Sequence, residues 1–296
     1  MPTSSSEIPP ARRLGGALEP LAGGAQFAPE CHANYAALGF APSPGKVGLT
    51  EVPDRSAYFT SRGSVMGQVP GEVVAAAFAV FNPAEVIGDV ARGWALTDAA
   101  TIWAARQAGA TGQLRRILGA DPPGAAHFAE LLLAAAEPLP LVGRPLFAGH
   151  RALDRPDEPL ARLWLAADAL REFRGDSHTI VWTAAGFDPI EIGLLSDLYW
   201  GLPPRAHTSG RGWSAEQLAA GEERLRRRGF LDGEQLSAAG AEVREAIEAQ
   251  TDAALAPAIE VLGDDLHEMV GTLDRWGDAV RAAGGYLTPA VRFTCA

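Results

Sequence analysis

The chain has 296 residues, 25 basic and 36 acidic side chains and a formal net charge of −11, a balance that opposes general attraction to nucleic acid or an anionic membrane. At this length the fold buries about three-quarters of its unfolded surface and needs no disulfide or metal, and the two cysteines, Cys31 and Cys295, make neither a disulfide framework nor a CxxC motif. With no run of 18 apolar residues and no apolar leader, the expectation is a cytoplasmic protein without membrane contact.

Residues 1–13, MPTSSSEIPPARR, have the polar, Pro- and Ser-rich composition of a disordered tail. A short helix is expected around His32 and Tyr35. Residues 95–118 space their apolar side chains as a helix does, with Arg115 and Arg116 in the last turn, where cations suit the helix dipole. A helix over 125–137 is halted by Pro138 and Pro140, and 138–159 reads as a linker. Further helices are expected at 158–173, 177–185 and 188–200, the last with Asp188 as cap and Pro189 in its first turn. Ser214 and Gln217 form a capping box for a helix that runs to Arg226–Arg228 and ends at Gly229. Asp232-Gly233 marks a hairpin, and Ser237 opens another helix. Two helices, a hairpin and a helix are the order of a winged helix-turn-helix.

The chain also echoes itself. HANYAALGFAP (32–42) and HTIVWTAAGFDP (178–189) both run from His to Gly-Phe-x-Pro, and Arg-Gly-Trp stands at 92–94 and again at 211–213. With an insertion near 43–69, the echo predicts a mainly α fold of two tandem winged-helix-like units with short β-hairpin wings, fused as a pseudo-dimer. The N-terminal unit spans 14–150 and the C-terminal unit 151–296.

LRRRGFLDGEQLSAAGAEVREAIE resembles the wing and following helix of the MarR group of regulators. From about residue 14 onward the chain resembles an actinobacterial SalK-like helix-turn-helix family, found in part near natural-product gene clusters. CHANYAALGFAP, AYFTSRGSVMG, RLWLAADALREFRGDSH and RGWSAEQ…RGFL…LSAAG carry that resemblance, in this order. It implies a helix-turn-helix fold and, through the MarR-type fold, an aromatic or lipophilic ligand held between helices. Phe173 and Asn34 depart from the family pattern and change the polarity beside candidate site residues.

The densest polar cluster is REFRGDSHTIVW, with Arg171, Arg174, Asp176 and His178 within eight positions. With Gly175 as a turn, Asp176 is placed to orient the His178 imidazole and Arg174 to hold an anion beside it. The plainer alternative makes Asp176 a helix cap paired with Arg174, and His178 a packing residue beside Trp182. His32 and Tyr35, at i and i+3, share a helix face. Tyr58 and Arg62 give the insertion the mixed character that suits a partly anionic, partly aromatic ligand. Equivalent places for His32 and His178 in the echo also raise haem or a single metal, yet no third ligand has matching spacing, so no metal residue is assigned and no cofactor is evident. His127, His150, His207 and His267 read as structural or solvated.

Residues 213–296 carry 8 arginines against 15 acids. The recognition-like helix there offers Glu216, Gln217, Glu222 and Glu223 before its first arginine, so DNA is not the expected partner. The sequence therefore predicts a small-molecule-binding protein, monomer or homodimer, with its cavity between two winged-helix halves. His178, Asp176, Arg174 and His32 form the polar, acid–base end, and Tyr35, Tyr58, Arg62 and Trp182 line the rest around a small apolar or aromatic ligand. An enzyme of natural-product metabolism is the favoured extension. The alternatives are a MarR-like ligand-responsive transcriptional regulator and a haem- or metal-binding protein using His32 and His178.

Overall fold

The computed structural model describes residues 8–287; the first seven residues of the expected tail, and Cys295, lie outside them. Helix α1 (Pro10–Ala22) starts within the expected tail, because Pro10 suits a first turn that needs no N–H and Arg12 is anchored by Glu245 and Asp252, each at 2.8 Å. Then come α2 (Pro29–Ala37), the hairpin β1 (Lys46–Val47)–β2 (Thr50–Glu51), α3 (Arg55–Gly63), α4 (Gly71–Phe78) and α5 (Pro83–Trp94). Next are α6 (Ala99–Leu118), α7 (Ala125–Ala136), α8 (Pro145–Arg151), α9 (Pro159–Ala184), α10 (Pro189–Tyr199) and α11 (Ala215–Arg227). The hairpin β3 (Leu231–Asp232)–β4 (Gln235–Leu236), α12 (Ala238–Ala254), α13 (Ala256–Leu262) and α14 (Asp265–Ala282) complete the order. Among the described residues the fold is mainly α with two small antiparallel hairpins, as the sequence predicts. No helix among the described residues is long and apolar enough to cross a membrane.

Helix α9 is the spine. Where the sequence predicts helices at 158–173 and 177–185, one 26-residue helix runs through. Gly175 in its interior costs about 1 kcal/mol, which packing against α1, α6, α7, α8 and α12 offsets. The cap-forming residues beyond it are used elsewhere. Ser177 Oγ donates back to the Phe173 carbonyl (2.7 Å), and Asp176 accepts the Phe147 N–H (3.0 Å) at the start of α8. Helix α8 itself lies within the expected linker, fixed by that carboxylate and by Phe147 packing edge-on against Phe173 at 4.9 Å.

Three apolar cores follow. The largest surrounds α9 and holds Leu14, Leu18, Ile102, Leu132, Trp164 and Phe173. A second, of Trp182, Phe187, Ile190, Leu195, Leu225 and Ile247, supports the winged lobe formed by α10, α11, the β3–β4 wing and α12. The third gathers Phe59, Val74, Phe78, Phe81, Val86 and Val90 between α3, α4 and α5. Helix α2 lies hard against α6: a Cβ on Gly109 would fall 2.5 Å from Cys31 Sγ. Burial there pushes the Cys31 thiol up to about 12.

One strand of the internal echo falls in like structure. Gly39 (φ 97°) and Gly186 (φ 76°) each follow a helix end, ahead of Phe-x-Pro. Both copies of Arg-Gly-Trp precede a helix, α6 after 92–94 and α11 after 211–213, though 92–94 also closes α5. The hairpins also differ in place, β1–β2 standing before α3 and β3–β4 between α11 and α12.

Candidate functional site

The cluster at 171–178 disperses, because successive side chains on a helix point about 100° apart. Arg171 Nε donates to Glu19 on α1 (2.8 Å). Glu172 accepts both Nε and Nη2 of Arg62 on α3, each at 2.7 Å. Arg174 reaches Glu248 and Asp252 (3.0 Å) on α12, where Arg244 also donates to Glu248 (2.6 Å). Burial would raise the Glu248 carboxyl, but Arg174 and Arg244 hold it at about 2.

Asp176 and His178 consequently do not pair. Asp176 serves α8, and burial pushes its carboxyl up to about 7. His178 Nδ1 lies 3.1 Å from Thr251 Oγ1, whose own proton goes to the Ile247 carbonyl (2.8 Å). The imidazole thus donates from Nδ1 and leaves Nε2 as a buried acceptor without a hydrogen bond. Burial, reinforced by Arg244, pushes His178 down to about 3, so the ring is neutral near pH 7. Trp182 belongs to the winged-lobe core. His32 sits elsewhere, with Nε2 2.9 Å from the Gln26 carbonyl and Nδ1 3.4 Å from Glu51. The structure does not bring His32 and His178 to shared partners, and no group of three or more His, Cys, Asp or Glu side chains able to hold a metal occurs among the described residues.

Tyr35, Tyr58 and Arg62 do converge. With Gln26, Pro53 and Arg106 they line a cleft of ≈ 210 Å³ of empty space, of which ≈ 10 Å³ admits the centre of a water molecule. His32, Arg174, Asp176, His178 and Trp182, expected around the same ligand, are not among the residues that line it. Arg62 Nη1 donates to the Tyr58 hydroxyl (3.0 Å). Arg106, 1% exposed, donates through Nη2 to Asp168 (2.8 Å), and His150 Nε2 lies 3.1 Å from the same carboxylate oxygen. His150 Nδ1 faces the Leu146 carbonyl at 3.0 Å. Burial would raise the Asp168 carboxyl, but Arg106 and His150 hold it well below the usual carboxylate range. This buried Arg106–Asp168–His150 unit, roofed by Trp103 and Trp164, escaped the sequence reading. Its signal was a charge on an apolar stripe: Ile102, Arg106, Ala110 and Leu114 recur at helical spacing and all are buried.

In the winged lobe, Ser214 makes the capping box that the sequence predicts, and Asp188, expected as a plain cap, makes one too with Glu191. Helix α11 buries Leu218 and Leu225 and exposes Ala215, Glu216, Ala219, Glu223, Arg226 and Arg227. Its acids are engaged: Glu222 accepts a two-pronged Arg205 (2.6 and 2.9 Å), and Glu223 lies 3.6 and 3.8 Å from Arg226 and Arg227. A helix-turn-helix family model matches residues 11–287. The chain belongs to this helix-turn-helix family. The family match spans helical body and winged lobe alike. Searches of curated proteins and of solved structures each find no match. Within this helix-turn-helix chain, the lobe supplies the exposed helix and wing, and the body supplies the polar cleft.

Proposed function

We propose that the protein is a ligand-responsive transcriptional regulator whose winged lobe reads DNA and whose helical body senses a small molecule. The observation that carries this reading is the presentation of α11: a capped N-terminal half with Ala215, Glu216 and Ala219 exposed, beside a short wing, the arrangement a recognition helix needs to enter a major groove. Family membership supports the same role, and the MarR-like wing and SalK-like segments are its finer detail. The charge objection weakens in three dimensions. Arg205 engages Glu222 and Arg228 engages Glu191 (2.7 Å), while Arg226 and Arg227 keep 37% and 64% of their side chains exposed. Both pair only loosely with acids of the same helix, at 3.5–3.8 Å, and two such exposed cations turned to phosphate give a shallow salt dependence, a log–log slope of about −2 per lobe. The acid–base pair that an enzyme would need, Asp176 with His178, is not assembled.

Fluorescence anisotropy with duplexes from the region upstream of its own coding sequence, at ~50 mM salt, tests the proposal. The expected result is sub-micromolar binding to one duplex and much weaker binding to a scrambled one. Equal binding to both would overturn it.

A further inference from the structure

The winged lobe contains a cavity of its own, between α10, the loop that follows it, α11 and the wing. Leu194, Leu198, Pro204 and Leu231 give it apolar walls, and Arg205, Glu222, Arg226 and Glu234 add charge; no aromatic side chain is among the lining residues. Its empty space is ≈ 680 Å³, of which ≈ 300 Å³ admits the centre of a water molecule, against ≈ 10 Å³ in the cleft of the body. Small-molecule sites span about 300–1,000 Å³ and set a few placed polar groups in apolar walls, so this cavity suits a compact aliphatic ligand. None of the residues expected from the sequence to surround a ligand lines it.

The bonding around the cavity decides the charge of that ligand. Both lining cations are engaged. Arg205 gives Glu222 its two-pronged bond (2.6 and 2.9 Å) from a left-handed backbone, φ 66°, a conformation that bulky residues rarely adopt and that clusters at ligand clamps. Arg226 donates from Nε to the Gly233 carbonyl (3.2 Å) and lies 3.5 Å from Glu222. Glu234, on the wing, adds its field to Arg205 but makes no hydrogen bond or ion pair among the described residues. An anion would have to break an existing tie, whereas a cation meets a carboxylate that is unengaged. The wider field has the same sign, since residues 213–296 carry 8 arginines against 15 acids, and such an excess draws cations toward the lobe.

We infer that the cavity binds a small aliphatic amine, its ammonium on the Glu234 carboxylate and its hydrocarbon part against Leu194, Leu198, Pro204 and Leu231. An alkylammonium keeps its proton near pH 7, and burial of the hydrocarbon part supplies an attraction that the charge alone lacks. The site is separate from the sensing proposed for the body. It rests on the regulator reading only for its consequence: α11 and the wing both line it, so an amine that changes DNA affinity has its own affinity changed by DNA by the same factor.

Isothermal calorimetry of the full chain without DNA provides the test, with thermal unfolding as a second readout and four probes: cyclohexylmethylamine, cyclohexylmethanol, cyclohexanecarboxylate and methylamine. Cyclohexylmethylamine is expected to bind with a Kd of about 1 mM or tighter and to raise Tm. The alcohol, of the same shape without the charge, is expected to bind at least ~3-fold more weakly, the scale of a partly solvated ion pair. The carboxylate is expected to bind more weakly still, and methylamine, which lacks the ring, at least ~10-fold more weakly than the full amine. Glu234→Gln, at an exposed position, is expected to lower amine affinity at least ~3-fold and to leave the alcohol as it was. Glu242→Gln makes the same change of net charge at an exposed place on α12 outside the cavity, and is expected to leave amine binding unchanged. No amine binding at ~10 mM, equal binding of the alcohol or the carboxylate, or an equal effect of the two variants would each overturn the inference. A failed DNA titration leaves these outcomes readable, and a failed amine titration leaves the DNA titration readable.

Discussion

Residues 171–178 hold two arginines and two acids and residues 222–228 four arginines and two acids, yet the first set lies inside the body and the second on the surface of the lobe. On α9 each charge leaves in its own direction and ends on a different helix: Glu19 on α1, Arg62 on α3, Glu248 on α12 and the start of α8. On α11 most charges stay within the lobe, pairing one turn away or with α10, and remain partly solvated. Proximity in sequence therefore says little about proximity of function. What separates the two is how many neighbours enclose the helix: packing on every side turns a charge cluster into a set of tertiary ties.

The largest effect that could break this contrast is at Glu172, which is fully buried between Arg62 and Arg171. Glu172→Ala strips Arg62 of its carboxylate and leaves Arg171 with Glu19 alone, so urea unfolding is expected to show a loss of about 3–5 kcal/mol. Glu223→Ala on α11 is expected to cost less than ~1 kcal/mol. Equal costs would erase the distinction.

Asp176 sharpens it through pH. Its carboxyl is pushed from the ordinary 3.8 up to about 7, so the folded protein keeps a proton that the unfolded chain releases. A raised value means that this contribution is complete below about pH 4 and is lost as pH climbs toward 7, at up to about 1.4 kcal/mol per pH unit. Asp176→Asn keeps an acceptor for the Phe147 N–H. It is expected to flatten the stability profile across that window and to exceed the parent in stability at pH ~8. Parallel profiles would show that the buried carboxyl is ionised throughout.

The smallest effect on stability is expected at Arg227, 64% exposed and 3.8 Å from Glu223. Arg227→Ala should move the unfolding free energy by less than ~0.5 kcal/mol, while lowering DNA affinity on all sequences and reducing the salt slope by about 1. A large change in Tm would place this side chain in the fold rather than at a partner.

The winged lobe was legible because its instructions are local. Asp188, Ser214 and Ser237 cap the helices they precede, Gly229 follows α11 with positive φ, and Asp232-Gly233 turns the wing. The continuity of α9 was not legible, since Gly175, Asp176 and Ser177 look like a helix boundary until α8 arrives to take the carboxylate. Tyr35, Tyr58 and Arg62 were picked out by residue type and do meet, but their partners Gln26 and Arg106 are isolated polar residues in Ala- and Gly-rich segments. His150 looked like a linker residue because nothing near it in sequence announces Asp168, which lies 18 positions away. Non-local pairing of this kind is decided by the fold and carries no short-range mark.

The contact between Cys31 and Gly109 makes the body its own stopwatch. A thiol walled in by a neighbouring helix and held protonated by burial reacts with an alkylating reagent only when α2 parts from α6. The rate at which Cys31 is modified in native buffer therefore reads the opening of the α2–α6 seam, which is also a wall of the cleft.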